Sequence, residues 1–159
     1  MHLNNRQIAF LRRGYSLSAR EIEYVKLFFE GINDNQELAD RAGNTLLTAK
    51  IHISHIFSKL SVSHKLAVVI KIIEELKLLD FDIKDPTQSL ISKFQQKYNL
   101  TNREIDLLKI ICQGYIANKD IGKQMNVHFE ASNHQLLSIY RKTLTNNKLA
   151  LFLKFIEGS

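Results

Sequence analysis

The sequence predicts an all-α protein built of two tandem units, each with four to five short helices and no sheet. Three observations carry that expectation. The chain repeats itself at an offset of 83 residues. Its apolar residues recur at helical spacing, with no sustained alternation. The repeat is broken once, by an acidic stretch that holds the single proline.

Sliding the chain by 83 lays LSAREIEYVKLFFEG (17–31) over LTNREIDLLKIICQG (100–114) and keeps register without a gap to residues 73 and 156. Fourteen of these 57 positions are identical, among them Glu21/Glu104, Asn35/Asn118, Lys59/Lys142, Lys65/Lys148 and Lys71/Lys154. Most other pairs keep apolar character, as in Leu38/Ile121 and Phe57/Tyr140. The offset also reaches upstream through Ile8/Ile91, Leu11/Phe94 and Tyr15/Tyr98. The chain reads as a tandem duplication. DFDIKDP places a linker at 80–86, with unit one over 1–79 and unit two over 87–159.

In unit one, Ile8, Leu11 and Tyr15 predict a first helix over about 4–15, matched by one over about 87–98. Ser18 with Glu21 three residues on forms an S-x-x-E capping box. It opens a helix carrying Ile22, Val25, Leu27, Phe28 and Phe29, which Gly31 stops as a left-handed cap. A short segment around Leu38, Ala39 and Ala42 follows and ends near Gly43. Thr45 caps the next helix, whose buried row is Ala49, Ile53, Ile56 and Leu60 at i, i+4, i+7 and i+11. Ser63 opens the last helix, LAVVIKIIEEL, whose apolar face is wider than one contact needs.

Composition bounds the function. Lys and Arg number 22 against 16 Asp and Glu, a net charge of +6, which suits a polyanionic partner. One cysteine excludes an internal disulfide framework and fits a reducing compartment. No run reaches the roughly 18 apolar residues of a membrane span, and MHLNNRQ is no secretion signal. A cytoplasmic protein with no membrane contact is expected.

With Ala49, Ile53, Ile56 and Leu60 inward, Lys50, Ile51, Ser54, His55 and Ser58 face outward. Two short helices on a tight turn, the second exposing basic and small polar groups, make a helix-turn-helix, whose second helix suits a major groove. Charge divides the same way. Residues 41–73 carry five basic residues, three histidines and no acid, whereas residues 21–40 carry six acids against one lysine. Residues 131–156 repeat the polarity with Arg141, Lys142, Lys148, Lys154 and no acid.

Residues 17–60 resemble the LuxR/FixJ-type (GerE-like) helix-turn-helix. Its pattern runs L-T-x-R-E, a later Gly, I-A, S-x-x-T-V-K-x-H and N-I-x-x-K-L. The matches are Leu17, Arg20, Glu21, Gly31, Leu38, Ala39, Thr45, Thr48, Ala49, Lys50, His52, Ile56, Lys59 and Leu60. One departure is an extra residue between Gly31 and Leu38, repeated between Gly114 and Ile121. The resemblance implies duplex DNA as partner, with base edges met by Lys50, Ile51 and Ser54 and phosphates by Thr45, Thr48 and Lys59. It also implies dimerisation through the last helix of a unit, with Val69, Ile70, Ile73 and Leu76 as the seam. That seam would serve a homodimer, a heterodimer with another regulator, or a pairing of the two units. Unit two keeps the scaffold positions but changes the reading head, with His128, Ala131, Asn133 and Gln135 where unit one has Thr45, Thr48, Lys50 and His52. Asn133, His134, Arg141 and Lys142 are its candidate DNA contacts.

No nucleophile motif, phosphate-binding glycine loop or H-E-x-x-H occurs, so neither enzyme nor cofactor is expected. His52, His55 and His64 raise the question of a metal, but their acid-free segment offers no third ligand, and none is expected. Cys112 reads as core. The expected function is sequence-specific transcriptional regulation without a sensor domain. The alternative is an interaction protein that pairs with a full-length regulator of this type and antagonises it.

Overall fold

A computed structural model describes residues 1–158; Ser159, at the end of the expected second unit, lies outside the described residues. Ten α-helices account for the regular structure, and no strand occurs among the described residues. Contacts divide the chain into two compact units, one over Met1–Leu76 and one from Lys77 onward. The division thus falls after Leu76 rather than after residue 79. The expected linker is also less free than its composition suggests. Ile83 and Pro86 are buried, and Asp82 closes a turn by accepting the Lys84 N–H at 2.9 Å.

Unit one comprises α1 (Asn5–Tyr15), α2 (Ala19–Phe29), α3 (Asn35–Arg41), α4 (Leu46–Leu60) and α5 (Lys65–Leu76). Unit two comprises α6 (Gln88–Tyr98), α7 (Asn102–Cys112), α8 (Asn118–Gln124), α9 (Phe129–Thr143) and α10 (Lys148–Glu157). Every helix of unit two starts 83 residues after its counterpart, the offset of the sequence repeat.

Local chemistry explains the boundaries. Ser18 and Glu21 make the reciprocal capping box at α2, and Thr101 and Glu104 make it at α7. Gly31 and Gly114 follow these helices at φ 83° and 93°, where a side chain would be strained. Thr45 caps α4 by accepting the Thr48 N–H at 3.2 Å. The last helix of unit one begins at Lys65, later than Ser63 suggests, because His64 is the capping group: its Nδ1 accepts the Ala67 N–H at 3.0 Å. The caps of unit two are poorer. Ala117 and His128 stand at the starts of α8 and α9 with no side-chain hydrogen bond.

In unit one α2 packs against α4 and α5, α3 against α4, and α1 against α2. Tyr24, Phe28, Leu38, Ile56 and Leu60 are fully buried. In unit two α7 packs against α8, α9 and α10, and α8 against α9. Gly122 permits that last approach, since a Cβ there would stand 3.0 Å from the Val127 carbonyl oxygen. Cys112 is buried, and burial pushes its thiol up to about 12, as a core residue rather than a nucleophile.

Candidate nucleic-acid interface

The candidate interface is the outer face of α4. Ala49, Ile53, Ile56 and Leu60 are all buried, which turns the opposite side of the helix to solvent. Lys50, Ile51, Ser54, His55 and Ser58 are exposed there, with Ile51 47% exposed and Leu47 70%. Thr45 is exposed and Thr48 half-buried, their hydroxyls 2.9 Å apart at the start of the helix. No acid lies in the first turn of α4, so the partial positive charge of its N-terminus is unopposed.

The basic residues of this region divide sharply by what they touch. Lys59, expected at phosphate, instead turns into the fold. Its Nζ donates to the Glu21 carboxylate at 2.7 Å and to the Ser16 carbonyl at 2.9 Å. Lys65 donates to the Asn33 carbonyl and the Asn35 side chain, and Lys71 to the Leu60 carbonyl. Arg41 pairs with Glu30 and Glu37. The acid-free run of residues 41–73 therefore carries much less outward charge than its composition implies. Lys50 is its one cation with no ion pair or hydrogen bond among the described residues.

Unit two repeats this inward set. Lys142, the expected DNA contact, donates to Glu104 at 2.8 Å and to the Asn99 carbonyl at 2.9 Å. Lys148 donates to Asn118, and Lys154 to the Thr143 carbonyl. Three of the four identical lysine pairs of the repeat, Lys59/Lys142, Lys65/Lys148 and Lys71/Lys154, are thus scaffold bonds made twice. Of the other candidates on α9, His134 and Arg141 are exposed, and Asn133 accepts from the Asn118 amide at 3.2 Å.

In the sequence Glu21 is legible only as a capping residue and Glu104 only as its partner in the repeat, yet each is the buried anchor of its unit, at 2% and 3% exposure. Burial works against ionisation of Glu21, but the Lys59 ammonium and the Ser18 N–H outweigh it and hold the carboxyl below its ordinary range. Glu104 is held low in the same way by Lys142, the Thr101 N–H and the Ser138 hydroxyl. The signal that finds them is the shared separation of 38 residues between each acid and its lysine.

Glu21 also supplies what the histidines lacked. One donor atom each from Glu21, His52 and His55 lies within 4.8 Å of the others, so the third ligand comes from α2 rather than from the acid-free segment. Much of that carboxylate is committed, however: Oε2 accepts from Lys59 and from the Ser18 N–H, and Oε1 stands 3.7 Å from His55 Nδ1. A dication there would compete with an ammonium already in place. His52 stacks on the buried Tyr24 ring at 5.6 Å, a packing role.

The expected dimer seam on α5 is largely consumed. Val69, Ile70 and Ile73 are buried and Leu76 is half-buried, because apolar residues cover most of the helix circumference and the fold takes them up. Among the described residues no helix is long and apolar enough to cross a membrane.

Compared with protein-family models, curated proteins and solved structures, the chain matches none.

Proposed function

We propose that this protein is a sequence-specific, duplex-DNA-binding regulator of transcription that reads the major groove with α4. The observation that carries the reading is the division of α4 into a buried row and an exposed row of Lys50, Ile51 and Ser54, with Lys50 free of any ion pair or hydrogen bond among the described residues. A lysine suits guanine acceptors, an exposed isoleucine suits a thymine methyl, and a serine suits either donor or acceptor. Thr45 and Thr48 stand at the helix start, where hydroxyls and main-chain N–H groups meet phosphate. Lys59 is a scaffold residue in this reading, which amends the set of phosphate contacts.

Binding of the intact chain to mixed-sequence duplex tests the proposal. Affinity that is measurable at about 50 mM salt and weakens steeply by about 200 mM is expected; no duplex binding at the lower salt would refute it. A second reading is favoured by exposed apolar residues of unit two: Phe129 is 54%, Leu137 43% and Leu144 86% exposed, along and just beyond α9. They suit a protein partner, as in an antagonist of a full-length regulator. Tight binding to such a regulator, with only weak and sequence-blind DNA affinity, decides for that reading.

A further inference from the structure

We infer that the C-terminal half of α1 is a second phosphate-binding element, acting through Arg12 and Arg13. The inference rests on the duplex-DNA reading and adds a contact that the helix-turn-helix itself does not supply.

Helix α1 carries three arginines and no acid. Arg12 and Arg13 are exposed, and among the described residues neither has an ion pair or a hydrogen bond. Arg6 of the same helix is likewise exposed and unpaired among the described residues, whereas beyond α1 the arginines of unit one are engaged: Arg20 pairs with Glu23, and Arg41 with Glu30 and Glu37. Two adjacent, unopposed cations repel each other and are complemented by a polyanion. Their place in the last turn also favours the helix dipole, and the acids near this end of α1 are committed elsewhere, Glu21 to Lys59 and the Ser18 N–H and Glu75 to the Tyr15 side chain.

Their position joins them to α4. Arg12 and Arg13 line a groove with Ala9, Ser16 and Leu17. Ser16, which lines it, is also the residue whose carbonyl holds Lys59 from the last turn of α4. The groove therefore adjoins the end of the proposed reading helix, where Lys59 itself is turned inward. The planar guanidinium fork fits a phosphate in two parallel hydrogen bonds, which a lysine cannot offer.

Unit two supplies the contrast. The residues aligned with Arg12 and Arg13 are Gln95 and Gln96, and the Gln95 amide donates to the Leu100 carbonyl and Asn102. The paired charges belong to the unit that keeps Lys50, and are absent where the reading head has changed.

The test is the salt dependence of binding to a mixed-sequence duplex by the intact chain. Arg12→Ala with Arg13→Ala is expected to make the slope of log affinity against log salt shallower by about two, since each neutralised phosphate contributes about 0.9. Arg12→Lys with Arg13→Lys is expected to keep most of the slope. Lys93→Ala with Lys97→Ala, on α6, removes the same charge and is expected to leave it unchanged. An unchanged slope in the arginine-to-alanine variant, or an equal loss in the α6 variant, overturns the inference while wild-type binding keeps the DNA reading. A loss confined to single strands also overturns it. Wild-type protein that binds no duplex overturns both. Because the arginines are exposed, thermal unfolding of the variants is expected to match wild type, and a variant that has lost its helical circular dichroism counts against a surface role.

Discussion

Glu21 and Lys59 meet at 2.7 Å, Glu104 and Lys142 at 2.8 Å, and both pairs span 38 residues of chain. Each ties the start of one helix to the end of another, so each fixes where α4 or α9 sits on its unit. Removing the lysine strands a buried carboxylate, a change that costs about 3 kcal/mol where partners are well desolvated. The Lys59 side chain is 33% exposed, so Lys59→Ala is expected to lose only part of that, about 1–2 kcal/mol at neutral pH, whereas Lys50→Ala stays within about 0.5 kcal/mol, as exposed substitutions do. The sign with pH follows from the depressed carboxyl. Its stabilisation is fully present above the ordinary glutamate value and is lost as pH falls below that value through the folded one. The deficit of Lys59→Ala should accordingly shrink in acid, which denaturant unfolding from about pH 7 to about pH 3 would read out. A deficit that does not change with pH would place the lysine's role elsewhere.

Helix starts and stops were readable because they depend on neighbours three or four residues away. Ser18 with Glu21, Gly31, Thr45 and the buried row of α4 are local patterns, and each stands where its pattern puts it. His64 displaced Ser63 as a cap because an imidazole nitrogen can accept the same bond. What was not readable is direction. Lys59, Lys65 and Lys71 look like a basic face in sequence, and the bonds that turn them inward come from 11 to 43 residues away. The same distance hid Glu21 from His52 and His55. Unit two shows what local chemistry leaves undone. Ala117 and His128 already have the extended backbone of a capping residue but make no side-chain bond. Ala117→Asp and His128→Ser are each expected to raise stability by about 1 kcal/mol, measured as a shift of the denaturant midpoint; no shift from either would mean these N–H groups are satisfied another way.

At the scale of the molecule, one scaffold is written twice and surfaced differently. The acid–lysine anchor, the Asn–lysine bond and the lysine over a tyrosine ring recur at matching positions in both units. Lys50, Thr45, Thr48, Arg12 and Arg13 do not recur, and neither do Phe129, Leu137 and Leu144. The exposed side of α4 thus sets Lys50 and Ser54 beside the apolar Leu47 and Ile51, whereas that of α9 sets His134 and Arg141 beside Phe129 and Leu137. The measurement that tests this account most directly is selection of bound duplexes from a random-sequence library, run with wild-type protein and with Lys50→Ala at near-physiological salt. The account predicts a sequence enriched by wild type and lost or altered at one or more base pairs in Lys50→Ala. No enrichment by wild type, or the same enriched sequence from both proteins, would contradict it.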